Sequence, residues 1–172
     1  MVDILGPSLT VLFIGFNPGT RSGEIGHHFA GRNNRFWTLL RDSGLTPTLL
    51  AAEEDARMLD LGFGLTNLVA RATPGSNDLR AAEMKEGAEV LRAKIARWRP
   101  RFACYLGKGI YRWVAGGPLP FQYGLQDESV VAGVADFLAH SPSGRNAVPY
   151  SEKLEVFRRL AEAVAQARSG SR

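Results

Sequence analysis

The uncharged run Thr10-Val-Leu-Phe-Ile-Gly-Phe16, cut off by Asn17-Pro18-Gly19, constrains this chain more than any other stretch. An apolar segment of strand length with no polar face predicts a buried strand, of the kind found inside a parallel sheet covered by helices. The Asn-Pro-Gly sequence then forces a tight turn. A neutral amide delivered at the end of such a strand can hold a water or a ligand. It cannot readily deprotonate either.

The rest of the chain repeats this alternation. A Gly-rich polar loop runs from the first strand to Asn33, long enough to be functional, and a short helix is expected at about Asn34–Ser43. Gly64-Leu-Thr-Asn-Leu-Val69 reads as a second short strand, followed by a turn at Thr73-Pro-Gly-Ser-Asn-Asp78 that leads into a helix. Over Arg80–Arg99, Met84, Ala88, Leu91, Ile95 and Trp98 fall on one helical face, with acids toward the start and bases toward the end, as the helix dipole favours. Pro100 stops that helix. Phe102–Leu106 reads as a buried strand, Lys108–Val114 as a short helix closed by Gly116-Gly-Pro118, and Ser129–Ala132 and Ala135–His140 as further strands. A last helix is expected at about Ser151–Ala167, with Arg168–Arg172 a frayed tail. Strands alternating with helices predict one three-layer α/β/α domain around a mostly parallel sheet, with ligands outside the carboxyl ends of its strands. The loops beginning at Asn17 and Ser141 fit that location.

Composition narrows the chemistry. The single cysteine, Cys104, lies in an apolar run with no basic neighbour, so it reads as a buried hydrophobe and excludes an internal disulfide. The three histidines show no zinc-hydrolase or zinc-deaminase spacing, and Gly15-Phe-Asn-Pro-Gly19 lacks the Gly-Lys-Ser/Thr ending of a phosphate loop. No cofactor or metal is expected. There is no apolar run of membrane-spanning length and no basic signal region, so the expected address is cytoplasmic, nucleoid-associated in a bacterium. With 21 basic and 17 acidic residues, of which 17 are Arg and 4 are Lys, the chain is suited to planar recognition of phosphate or carboxylate. Nucleic acid is a plausible partner.

Four blocks carry the functional reading: Gly15-Phe-Asn-Pro-Gly19, Gly26-His-His-Phe-Ala-Gly31, Asn34-Arg-Phe-Trp37 and Ser141-Pro-Ser-Gly-Arg145. In this order, with Gly64–Val69, Thr73–Leu79, Lys85-Glu-Gly87 and Leu106–Tyr111 between them, they resemble the mismatch-specific uracil and thymine DNA glycosylases, a branch of the uracil-DNA glycosylase superfamily. The resemblance implies a monomeric, metal-free monofunctional DNA glycosylase. It would act on double-stranded DNA with a mismatched or damaged pyrimidine, flipping uracil out of a guanine mispair and cutting its N-glycosidic bond to leave an abasic site.

The resemblance also implies roles. Asn17 matches the catalytic asparagine that holds the attacking water. Phe29 falls at the aromatic that stacks on the flipped base, while Phe16 and Gly19 belong to the base pocket, Gly19 offering backbone to the pyrimidine. Ser22 matches the position beside C5, where a hydroxyl disfavours the methyl of thymine. His28 and Asn67 match polar positions near base or water. Ser141, Ser143, Gly144, Arg145 and Asn146 form the insertion loop, with Ser143 toward a flanking phosphate and Arg145 as the wedge. Two alternatives stay open at this point: a broader single- and double-strand uracil glycosylase using His140, whose His140-Ser-Pro-Ser143 is offset by one residue from the His-Pro-Ser loop of other branches, and a catalytically weak lesion-binding module.

Overall fold

A computed structural model of the chain describes residues 1–117 and 121–170. Its frame is a five-stranded sheet of β1 (Val11–Gly15), β2 (Phe63–Asn67), β3 (Phe102–Leu106), β4 (Gly124–Leu125) and β5 (Ala135–Ala139), in the spatial order β2-β1-β3-β5-β4. The uncharged run behaves as its composition demands: every residue of β1 is buried, and β1 pairs in parallel with β2 on one side and β3 on the other. β5 joins β3 in parallel, and only the two-residue β4 runs antiparallel, at the edge.

Helices cover both faces. α2 (Phe36–Asp42) packs on α5 (Tyr150–Ser169), and α3 (Ala81–Trp98) packs on α4 (Lys108–Ala115), which yields the expected α/β/α layering. On α3 the expected face is turned inward, with Ala88, Leu91 and Ile95 buried and Met84 and Trp98 half-buried against the core. Cys104 is fully buried in β3, and burial pushes its thiol far above the ordinary range, so it serves as a small apolar side chain.

Several boundaries differ from expectation. The loop after β1 is interrupted by α1 (Thr20–Ile25), whose Gly26 terminus adopts the left-handed conformation with its N–H bonded to Ser22 O. Residues Ala52–Leu61 form a 3-10 helix where no element was expected. Ser129–Ala132 is not a strand but a bend before β5, because the Val130 N–H donates to the Asp136 carboxylate rather than to a ladder. The C-terminal segment is not frayed at Arg168: α5 continues through Ser169, and the Arg168 guanidinium donates to Leu61 O and lies over the Phe63 ring. Pro118 of the expected helix stop, and Ser171 and Arg172 of the expected tail, lie outside the described residues.

The chain leaves β1 for β2 on one side, then crosses to β3 on the other, so the connections diverge beside the carboxyl end of β1. Doubly wound sheets open a crevice at such a point. Asn17 follows β1 there, and Lys108 follows β3.

Candidate active site

The crevice is a cleft of about 780 Å³. All twelve residues singled out from the sequence line it, although they come from four separate stretches of chain: Phe16, Asn17, Gly19 and Ser22; His28 and Phe29; Asn67; and Ser141, Ser143, Gly144, Arg145 and Asn146. Among the described residues, no Asp or Glu lines the cleft. That bounds its chemistry, because no carboxylate is at hand to act as a general base.

Asn17 is held in one orientation. Its Nδ2 donates to Arg71 O at 3.1 Å and to Thr73 Oγ1 at 2.7 Å, with a longer contact to Pro18 O at 3.2 Å. Two of these are carbonyls, which only accept, so this end of the amide must be the NH2 group. Thr73 in turn donates its hydroxyl proton to Gly75 O at 2.6 Å, leaving a lone pair for Asn17. The Arg71–Thr73 segment is itself anchored: the Arg71 guanidinium makes paired bonds to both Glu83 oxygens at the start of α3, 2.7 and 3.0 Å long, and the Thr73 N–H donates to Pro18 O. This pairing holds the Glu83 carboxyl down at about 2. With the NH2 committed, Oδ1 of Asn17, which has no hydrogen-bond partner among the described residues, is the acceptor for a water proton.

Phe29 sits at φ 53°, in the left-handed region that a bulky side chain rarely enters. The strained backbone turns its ring onto Phe36, centroids 4.0 Å apart and nearly parallel, and Phe36 meets Phe13 of β1 edge-on. An aromatic column therefore runs from the cleft into the core. Gly15 ends β1 against the same ring. A Cβ there would stand 2.5 Å from Asn67 Oδ1 and 3.2 Å from Phe29, so only glycine lets the ring and the amide close on the strand end.

The polar loop residues are committed to bracing. The buried Ser22 Oγ accepts the Ala30 N–H, His28 N–H donates to Asp55 Oδ2, and the His28 ring bonds through Nε2 to Val2 O. Because a carbonyl accepts there, Nε2 carries the proton. Burial lowers the His28 pKa, against the weaker raising effects of Val2 and the nearby acids, which keeps the ring neutral.

Across the cleft, the Ser141–Asn146 loop is tied to the segment before α2. The Arg35 N–H donates to Pro142 O at 2.9 Å, and Gly144 lies so close to Asn33 that a Cβ would stand 2.6 Å from the Asn33 Cβ. The Arg145 guanidinium reaches over to Gly75, so the loop bridges toward the Thr73–Asp78 turn. His140 does not line this cleft. It borders a second depression on the α5 side and lies against the Tyr123 ring, centroids 3.7 Å apart.

A sequence profile described as the uracil DNA glycosylase superfamily matches residues 2–165. The chain belongs to the uracil DNA glycosylase superfamily. Membership makes it a DNA N-glycosylase of the hydrolase class, acting on uracil-type lesions with DNA as its partner. In this glycosylase the sequence reading missed Thr73 and Arg71, which orient Asn17, and Lys108, which lines the same cleft while its Nζ lies 4.6 Å from the Tyr123 ring centroid. It also missed the N-terminal segment, where Ile4 bridges to Leu65 of β2 and Val2 receives His28. The one available signal for Thr73 was its place in a turn cluster on the carboxyl side of β2.

Proposed function

We propose that the chain excises uracil from guanine mispairs, and thymine less well, by a dissociative hydrolysis in which Asn17 positions the water. The observation that carries this reading is the pinned Asn17 amide, whose NH2 is consumed by Arg71 O and Thr73 Oγ1 while Oδ1 is left as an acceptor in a cleft without carboxylates. An amide oxygen orients a water but is too weak a base to generate hydroxide. The glycosidic bond therefore breaks first, its electron pair leaving with N1 of the base. Water then adds its oxygen to the cationic sugar carbon and releases its proton to solvent.

Such a reaction depends on leaving-group quality and on a fixed binding site for the departing anion. Phe29 supplies a stacking face, its position stiffened by Phe36, and Asn67 supplies an amide at the end of β2. Uracil leaves more readily than thymine, whose methyl group donates electrons into the ring. Ser22 adds a buried hydroxyl at the position matched to C5, a poor neighbour for that methyl. Extrusion costs about a few kcal/mol and costs least for a mispaired base, so preference for mismatches follows in part from the duplex itself. The Ser141–Asn146 loop fills the gap, with Arg145 leaving Gly75 to enter the stack.

The test is excision from oligonucleotides that differ only in placing uracil opposite guanine, opposite adenine or in a single strand. Asn17→Ala is expected to lower single-turnover excision by about a hundredfold or more, the effect of losing alignment at the reacting centre. Full activity in that variant removes the proposed mechanism. Equal wild-type rates opposite guanine and adenine remove the mismatch preference.

A further inference from the structure

The loop that spans the cleft from the β5 side has no ladder to hold it. Its internal bonds are turns: Asn146 N–H to Ser143 O at 3.0 Å, with longer side-chain contacts from Ser141 and Ser143. Besides the Arg35 bond to Pro142, an external tie from below comes from Lys153. This lysine lies in the first turn of α5, is only 4% exposed, and donates from Nζ to Asn146 O at 3.1 Å and to Ser143 O at 3.4 Å. Its ammonium thus clips together the two carbonyls that bracket Gly144 and Arg145.

Everything else about the position is unfavourable to a cation. Burial strips its hydration. Among the described residues, no carboxylate is paired with it, and another cation, Arg35, acts on it unfavourably. It also sits at the positive end of the α5 dipole, where a cation is repelled. Burial and Arg35 accordingly push its pKa below the usual lysine value. A residue kept solely for stability at this site would be apolar, since exchanging an unpaired buried charge for a hydrophobe of similar length is often neutral or stabilising. Among the described residues, the return visible for this cost is the geometry of Ser143–Asn146.

We propose that Lys153 is a positioning residue that fixes the Ser143–Asn146 loop in the shape required to enter duplex DNA, at the expense of fold stability. This rests on the reading of that loop as the insertion loop. Lys153 does not line the cleft, so its effect falls on engagement of the duplex and not on bond cleavage.

Lys153→Met, of similar length without charge or donor, tests this with two measurements on the full chain. Binding is followed by fluorescence anisotropy on a labelled duplex with uracil opposite guanine and on the same uracil strand alone, and stability by thermal unfolding. The expected result is about tenfold weaker duplex binding, the effect of losing a hydrogen bond from a charged group, with a much smaller change on the single strand and an equal or higher midpoint of unfolding. In steady-state assays the same variant raises KM for the duplex and leaves kcat nearly unchanged. Lys153→Gln, shorter and uncharged, shifts duplex binding in the same direction and stands in if the methionine variant aggregates. Unchanged duplex affinity in both variants overturns the proposal, as does a lowered midpoint with parallel losses on both substrates, or a wild-type chain that binds neither. Wild type that shows this binding pattern yet releases no uracil overturns the proposed excision and leaves the role of Lys153 standing.

Discussion

Thr73 determines how firmly Asn17 points its carbonyl oxygen into the cleft, because its Oγ1 is one of the two best acceptors for the Asn17 NH2. Thr73→Val keeps the shape and removes that acceptor, so the amide is held only by Arg71 O and the longer contact to Pro18 O. Loss of one such bond is worth about 1 kcal/mol, which corresponds to a fall in kcat of roughly five- to tenfold with KM little changed. Thr73→Ser restores most of the rate. Single-turnover excision of uracil from a mismatched duplex measures this, and an unaltered rate in the valine variant would show that the two carbonyls of Arg71 and Pro18 suffice. The same pair of residues explains what could be read without a structure. Asn17 and Asn67 are polar residues ending apolar runs, and Phe29 is an aromatic in a Gly-rich loop, so their chemistry stands out locally. Thr73 reads as one more turn residue, because the partner that gives it meaning is 56 positions away. Lys153 is hidden in the same way: in sequence it is one cation on a helix, and nothing local tells that it is buried beneath two loop carbonyls.

Among the elements, α3 carries the sharpest local contradiction. Gly87 lies in its interior, where Ala is favoured by about 1 kcal/mol on helix propensity. In the fold, a Cβ at Gly87 would overlap the backbone carbonyl oxygen of Leu68 and press on Val69, just beyond the end of β2. Backbone cannot rotate aside as a side chain does, so Gly87→Ala is expected to destabilise by about 1–3 kcal/mol, the cost of overpacking, and to lower the urea midpoint. A raised midpoint would mean that α3 shifts freely away from the sheet. The close approach also carries functional weight, since α3 supplies the Glu83 that clamps Arg71 beside Asn17. Elements were legible in proportion to how much of their stability is local. β1, β3 and β5 announce themselves as buried apolar runs, and α3 as an apolar stripe. β4 has two residues and no periodicity, α1 lies among glycines, and Ser129–Ala132 has a strand's composition but gives the Val130 N–H to a carboxylate six residues on. In each missed case tertiary contacts override the local pattern.

At the scale of the whole molecule, that carboxylate makes stability depend on pH in an unusual direction. Asp136 of β5 is fully buried, accepts hydrogen bonds from the Val130 N–H and the Tyr105 hydroxyl, and draws on Tyr111 of α4 as well. It thereby links β3, α4, β5 and the bend before β5, the half of the sheet from which the insertion loop departs. Desolvation dominates these bonds and raises its pKa from 3.8 to about 6. Between those values the folded chain retains a proton that the unfolded chain has released, so folding stability falls as pH rises through this window. Below it both states are protonated and no cost is felt. Above it both are ionised and the full cost, on the order of 3 kcal/mol for such a shift, is present. Most paired surface carboxylates act in the opposite sense, so the absolute pH profile mixes the two. Asp136→Asn isolates the buried group, because the amide can accept the Val130 N–H through oxygen and donate to Tyr105 through nitrogen without a charge. Relative to wild type, the variant is expected to gain stability between pH 4 and pH 7, with the change concentrated at pH 4 to 6. Urea denaturation of both proteins across that range measures the difference, in which the surface carboxylates cancel. Parallel curves would place the Asp136 pKa near its ordinary value and would make the buried tyrosine hydrogen bonds, not desolvation, the stronger influence on it.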